Sequence, residues 1–341
     1  MGRAVRRSHN LESLMAPLEP FKHDEEVVIN RPGEAFVWRD GGFRRFEVDM
    51  SEDDLMDLAH VAMAQRRADA GAERGNPLPG TDIEMPDGRQ LRFQAILQPC
   101  VRDGAPAIAL RQATEKDTSV EEIVAGGVFD GTRRAEDRAI DEGLREVINL
   151  YRDGNWLGFM KALPLSGLTV LLVGANGTGK THIGRALLRE VPLEERLMTL
   201  AHADELSRLP HRNAVHAYYA KDGHGGRPRA TKVVEAFKRM RIGRPIVAEV
   251  ADGDSTLAFL RMCASGHRGG ITTGHAPHTK ASIKTLRVML KGTDDGRAMS
   301  DDDLDAHLRE LIHVVIHTER TRARGFKVPE VWFPAAEGGG E

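Results

Sequence analysis

Gly174-Ala175-Asn176-Gly177-Thr178-Gly179-Lys180-Thr181 follows the apolar run Leu171-Leu172-Val173 and opens the helix-patterned stretch His182 to Glu190. Glycines in such a turn let backbone N–H groups face inward around phosphate oxygens, and the positive end of the helix dipole adds to that field. In this pattern the Lys180 ammonium reaches β- and γ-phosphates and the Thr181 hydroxyl ligates a divalent cation, so ATP and Mg²⁺ are the implied cofactors. The candidate nucleotide-binding set is Gly174, Ala175, Asn176, Gly177, Thr178, Gly179, Lys180, Thr181 and His182. A phosphate loop also needs a carboxylate at a nearby strand end to orient the metal or the attacking water. Glu249, closing Ile246-Val247-Ala248, is the candidate for that role and for metal ligation. His275, just past Ile271-Thr272-Thr273-Gly274, stands at the edge where ligands gather in parallel α/β sheets and is a candidate γ-phosphate sensor. An acid ending a strand is often only solvent-facing and a lone histidine is commonly structural. Order and distance after the loop are what favour a site.

These groups need a sheet to hold them. Short apolar runs at Leu168 to Val173, Leu197 to Leu200, Ile246 to Ala248 and Ile271 to Thr273 alternate with helix-patterned segments. That alternation predicts an α/β fold with a parallel-rich sheet. The first third reads differently. Val27 to Asn30, Ala35 to Trp38 and Phe43 to Glu47 are short strands parted by the turn signals Arg31-Pro32-Gly33 and Arg39-Asp40-Gly41-Gly42. Ser51 with Asp54 reads as a capping box that opens a helix carrying Leu55, Leu58, Ala59 and Ala62 at helical spacing. After a Gly/Pro-rich stretch from Gly71 to Gly80, two strands flank the Asp87-Gly88 turn and a third covers Ala107 to Arg111. A smaller mixed α/β domain is therefore predicted over 1–130. An exposed connecting helix follows within 131–155, from the charged composition of Arg133 to Tyr151, and the nucleotide-binding domain spans 156–341. The final Glu337 to Glu341 reads as a frayed end.

With 341 residues, 40% hydrophobic and 29% charged, the chain can bury two cores. A net charge of -3 and 5% aromatic content weigh against direct nucleic-acid binding, since strand grips combine basic grooves with stacking rings. Cys100 and Cys263 are far apart and lack zinc-site spacing, which fits buried structural thiols in a reducing compartment. The basic start Met1 to Arg6 has no apolar region behind it, and Leu168 to Ala175 is far shorter than the ~20 residues that span a bilayer. A cytoplasmic protein is expected, at most peripheral on a membrane.

The loop and Glu249, taken with Val28-Ile29-Asn30-Arg31-Pro32-Gly33-Glu34, Pro210-His211-Arg212-Asn213-Ala214-Val215, Arg239-Met240-Arg241 and Ser265 to Ala276, resemble the hexameric traffic ATPases of bacterial type IV secretion. The resemblance runs from about Leu18 to Phe333. It implies a RecA-like P-loop ATPase domain preceded by an α/β domain that packs over the nucleotide. It also implies a homo-hexameric ring that energises channel or pilus assembly, or transfer of DNA or effector protein. It assigns Lys180 and Thr181 to phosphate and Mg²⁺, Glu249 to the second acidic motif and His275 to the histidine motif. Arg92 and Arg111 match two first-domain arginines that reach the nucleotide phosphates. The implied partners are inner-membrane proteins and coupling ATPases of the secretion system. Type II secretion motors commonly carry a four-cysteine zinc module, which two distant cysteines cannot form.

Several positions depart from the family pattern. The acidic Glu-Asp pair after the strand that follows the loop helix is here Ala201-His202. Glu205 survives three places on as a catalytic candidate, and Asp204 is an added acid, so a shifted carboxylate could substitute. The arginine usual two residues after Glu249 is Ala251, and the Thr or Ser usual after Thr181 is His182. Losing a transition-state charge in phosphoryl transfer costs ~10³-fold or more. The alternative reading is thus a catalytically weak subunit that binds ATP and scaffolds or regulates the same machinery.

Overall fold

The computed structural model describes residues 10–65, 76–112, 118–132, 142–321 and 325–338. The first domain contains α1 (Leu11–Met15), a 3-10 turn, strands β1 (Glu26–Arg31), β2 (Glu34–Arg39) and β3 (Gly42–Glu47), α2 (Glu52–Gln65), then β4 (Gly80–Glu84), β5 (Gln90–Ile96) and β6 (Ala107–Gln112). These strands make one antiparallel six-stranded sheet in the order β3-β2-β1-β6-β5-β4. The predicted capping box is present: Asp54 N–H donates to Ser51 Oγ at 3.2 Å and Ser51 N–H to Asp54 Oδ2 at 2.8 Å. It starts α2 so that Leu55, Leu58, Ala59 and Ala62 all face the domain core with Leu11 and Leu14 of α1.

A short helix α3 (Val120–Ala125) lies in the connection, and α4 (Glu142–Arg152) and α5 (Trp156–Ala162) open the second domain. Residues 1–9, 66–75, 133–141 and 339–341, on which the basic start and parts of the Gly/Pro stretch, linker and frayed-end readings fall, lie outside the described residues. The exposed linker helix expected through Tyr151 is corrected by α4. Val147 and Ile148 are buried in the second domain's core, and Tyr151 Oη donates to Val331 O at 3.1 Å. Its charged residues mark the outer face of a packed amphipathic helix.

The second domain continues through β7 (Val170–Val173), α6 (Lys180–Arg189), β8 (Leu197–Ala201), β9 (Ala214–Tyr218), α7 (Ala230–Phe237), β10 (Arg244–Val250), α8 (Gly253–Ala264), β11 (Ile271–Gly274), α9 (Ala281–Leu290), α10 (Asp294–Ala298), α11 (Asp301–Leu311), β12 (Val314–Thr321) and β13 (Gly325–Trp332). Its seven-stranded sheet has the order β13-β12-β7-β11-β10-β8-β9 and is parallel except for the β12–β13 hairpin. This is the predicted α/β architecture, with β9, β12 and β13 added to the strands expected from the sequence. β7 is entirely Val and Leu because both its faces are buried. No helix among the described residues is long and apolar enough to cross a membrane. Cys100 and Cys263 are free and buried, and burial pushes both thiols up to about 12.

The stretches around Asn30, Asn213 and Arg241 form the joint between the domains. Arg196 donates to Asn30 Oδ1 at 3.0 Å, Asn213 Oδ1 at 2.5 Å and the Met240 carbonyl at 3.1 Å. Burial draws this guanidinium down to about 10, opposed by the Glu26 carboxylate. Glu34, 2% exposed, takes ion pairs from Arg31, Arg45 and Arg212. Arg241 bonds Glu25 at 2.9 Å and Glu26 at 3.2 Å and lies 3.7 Å from the Trp38 ring centre. Buried charges of this kind survive only when paired and hydrogen-bonded, which locks the docking geometry. The joint sits along β9 and at the amino ends of β8 and β10.

Next to it, His216 Nδ1 lies 2.8 Å from Thr199 Oγ1. Burial holds this imidazole down to about 4, with Asp204 opposing and Arg31 and Arg102 adding to the depression. The unfolded chain takes up this proton below about pH 6.5 while the folded chain refuses it until about pH 4. Stability should therefore fall as pH drops through that window, by on the order of 3 kcal/mol from this group. Urea unfolding at pH 7.5 and 4.5 should show a smaller difference for His216→Gln than for the parent, and an unchanged difference would refute the assignment.

Candidate active site

β7 ends at Val173 and delivers Gly174 with φ +151°. A Cβ on Gly174 would run into the Thr318 carbonyl and stand 2.7 Å from Thr318 Oγ1, so only glycine lets β7 and β12 approach this closely. Thr318, fully buried on β12, donates to Val173 O at 3.2 Å and lies 2.7 Å from Thr178 Oγ1. Thr178 Oγ1 in turn donates to Ala175 O at 2.8 Å. The loop is thus braced from a strand that no local sequence signal marked, and Thr318 is a supporting residue the sequence reading missed.

Gly179, left-handed at φ +94°, is the N-cap of α6. The first N–H groups of α6 have no partners within the helix and stand at its positive end. Lys180, 8% exposed, donates to the carbonyls of Gly174 and Ala175 at 2.9 Å each. Burial lowers its ammonium below the ordinary value, and the Glu249 carboxylate opposes that shift. Thr181 and His182 occupy the exposed side of the first turn of α6. A buried cation, left-handed glycines and a helix N-terminus in one turn fit a polyphosphate, and the adjacent hydroxyl of Thr181 and carboxylate of Glu249 are hard oxygen donors of the kind Mg²⁺ takes.

Glu249 and His275 come from the carboxyl ends of β10 and β11 and meet there. His275 Nε2 is 2.5 Å from Glu249 Oε1, and its Nδ1 donates to Gly174 O at 3.1 Å. Lys180 and His275 therefore share one carbonyl of the loop, with Glu249 behind the histidine. The His275 and Glu249 side chains are each 39% exposed, open to a ligand. The segment after Glu249 is held rigid by a capping box, in which Ser255 N–H donates to Asp252 Oδ1 at 2.8 Å, and Ala251 N–H donates to Ser255 Oγ at 3.1 Å.

No family model matches the chain. It is 34% identical over 335 residues to protein VirB11 of Agrobacterium fabrum, across 95% of this chain and 94% of that protein. The chain belongs to the VirB11 family, the traffic ATPases of type IV secretion. Type IV secretion system protein VirB11 of Bartonella quintana is 27% identical over 340 residues, 94% of this chain and 91% of that one. The crystal structure of the VirB11 ATPase from the Brucella suis type IV secretion system in complex with sulphate matches the fold with a TM-score of 0.84 at 24% identity, covering 96% and 95% of the two chains.

Other residues expected to act in this VirB11-family site are not brought to the loop. Asp204, the added acid, is held by Ser207, whose N–H and Oγ–H bind its carboxylate at 3.2 and 2.7 Å. His202 stacks on Tyr219 with ring centres 4.0 Å apart. Glu205 is exposed, and among the described residues its side chain makes no bond to the loop or to Glu249. Arg92 and Arg111 face each other across β5 and β6 and pair loosely with Asp82 at 3.8 Å and Glu25 at 3.6 Å. Glu25 belongs to the joint with Arg241, at the amino end of β10, whereas the loop stands at the carboxyl end of the sheet. The length of β10 separates the two ends by on the order of 20 Å. Arg111, tied through Glu25 to Arg241, therefore stands beside the amino end of β10 in its own chain.

Proposed function

We propose that this chain hydrolyses ATP with Mg²⁺ as one subunit of a homo-hexameric ring that energises type IV secretion at the cytoplasmic face of the inner membrane. The observation that carries the reading is the convergence of Lys180 and His275 on the Gly174 carbonyl, with Glu249 2.5 Å behind His275. When a nucleotide enters, Lys180 exchanges two loop carbonyls for β- and γ-phosphate oxygens. Mg²⁺, held by Thr181 with Glu249 nearby, would neutralise charge on the transferring phosphoryl group. Glu249 orients the attacking water, and His275 links the γ-phosphate position to β11 and the Gly174 turn. Glu205, on the bend after β8, becomes the further acid when that bend swings toward the loop on ligand binding.

Arg92 and Arg111 point the ring reading toward a contact between copies. They lie too far from their own loop, so the phosphates they reach belong to a neighbouring subunit. The partners proposed for the assembled ring are the inner-membrane proteins and coupling ATPases of the secretion system. A catalytically weak regulatory subunit is the second reading. It is favoured by the stacking of His202 on Tyr219, which leaves no carboxylate at that strand end.

Subunit mixing tests the arrangement. Lys180→Ala chains and Arg92→Ala/Arg111→Ala chains, each inactive alone, should regain phosphate release when mixed, because an intact loop then meets intact arginines from the next copy. Absence of recovery, with co-assembly verified by sedimentation, would remove the inter-subunit role.

A further inference from the structure

The β12–β13 hairpin places an aromatic ring against the phosphate loop that the hydrolytic reading does not use. Phe326, at the start of β13, packs on Gly179. A Cβ at Gly179 would sit 3.0 Å from its ring, so the glycine is needed for the ring's approach as well as for its left-handed φ. The ring also meets His182, with centroids 5.4 Å apart and planes at 65°. Despite these contacts Phe326 remains 43% exposed, and Val328, on the same face of β13, is 41% exposed. Two apolar side chains thus stand exposed side by side at the edge of the loop, where a ligand seated on it would cover them.

The direction of a bound polyphosphate follows from the groups on the other side. Glu249 and His275 mark the γ-phosphate end and lie on the β10–β11 flank of β7. β12 is the opposite neighbour of β7. A triphosphate whose terminal group faces Glu249 must therefore carry its sugar and base out over the first turn of α6, toward His182 and the hairpin. Arg320 is the direct cross-strand partner of Phe326 on β12, and its Nη1 is 3.5 Å from Gly177 O. A cation thus borders the ring on the side of the phosphates.

We propose that Phe326 and His182 form the stacking platform for the base of a purine nucleotide, with Arg320 at its phosphate side. This rests on the phosphate-loop reading above and deepens it by assigning the base subsite. Stacking on an aromatic ring recognises the π-face of a base and needs no edge hydrogen bonds.

Equilibrium binding of ATP, ADP and inorganic tripolyphosphate to the full chain tests it. Phe326→Ala should weaken ATP and ADP by on the order of tenfold and leave tripolyphosphate unchanged, and Phe326→Tyr should bind all three as the parent does. Unchanged ATP affinity in Phe326→Ala, or an equal loss for tripolyphosphate, would overturn the platform while leaving Lys180-dependent phosphate binding in place. If Lys180→Ala leaves the binding of both ATP and tripolyphosphate unaffected, the phosphate loop itself is misassigned and the platform falls with it.

Discussion

Lys180→Ala is expected to lower Mg²⁺-dependent phosphate release by ~10³-fold or more, the scale on which a single cation at a transferring phosphoryl group is felt. Lys180 is 8% exposed and donates to two carbonyls of its own loop, so it acts as a preplaced charge with little freedom left to lose when phosphate arrives. Alanine removes the charge, and it also leaves the carbonyls of Gly174 and Ala175 without that donor, which loosens the turn. Release should be followed over a range of protein concentrations. A parent rate that rises per subunit with concentration and vanishes in the variant supports an oligomeric motor. A variant as fast as the parent would sink the site, whereas a silent parent that still binds ATP would favour the regulatory reading.

Glu249→Gln should separate binding from turnover. Gln keeps the shape and can still bond His275, but it cannot hold negative charge toward water or metal. Loss of a positioned base costs ~10²–10⁴-fold in the chemical step. Single-turnover hydrolysis should fall by that much while ATP affinity stays within a few-fold of the parent. If single-turnover rates match, Glu249 is only the partner of His275, and Glu205→Gln becomes the decisive variant.

The departures that suggested slow turnover now have physical content. The Ala201-His202 replacement is filled by a ring stack on Tyr219, and Asp204 is committed to Ser207. The missing arginine at Ala251 leaves a backbone N–H bonded to Ser255, with the turn after Glu249 intact. In the proposed mechanism turnover therefore leans on Glu249.

Much of the site was legible because phosphate chemistry needs a contiguous signal. The loop, the preceding Leu171-Leu172-Val173 strand and the following helix all lie in one segment, so the local pattern carried the geometry with it. Glu249 and His275 were readable for a related reason: in a parallel sheet every strand ends on the same side, and a polar residue just there is placed beside the loop by topology alone. The stretches around Asn30, Asn213 and Arg241 were equally distinctive in sequence, yet their work is structural. They pair buried charges across the joint, a role visible only when residues 183 positions apart, such as Asn30 and Asn213, meet at 3.0 Å.

The sequence by itself determined that a phosphate loop ends a buried strand, that the second domain is α/β and that the first is a mixed domain with antiparallel strands, since each follows from local spacing and side-chain type. Only the tertiary structure decided that β12 and β13 flank the loop, that Thr318 braces it and Phe326 covers its edge, and that Arg92 and Arg111 stand at the far end of the sheet from their own nucleotide site. Those outcomes depend on strand order and domain docking, which are set by contacts between residues distant in the chain, and a local pattern carries no record of them.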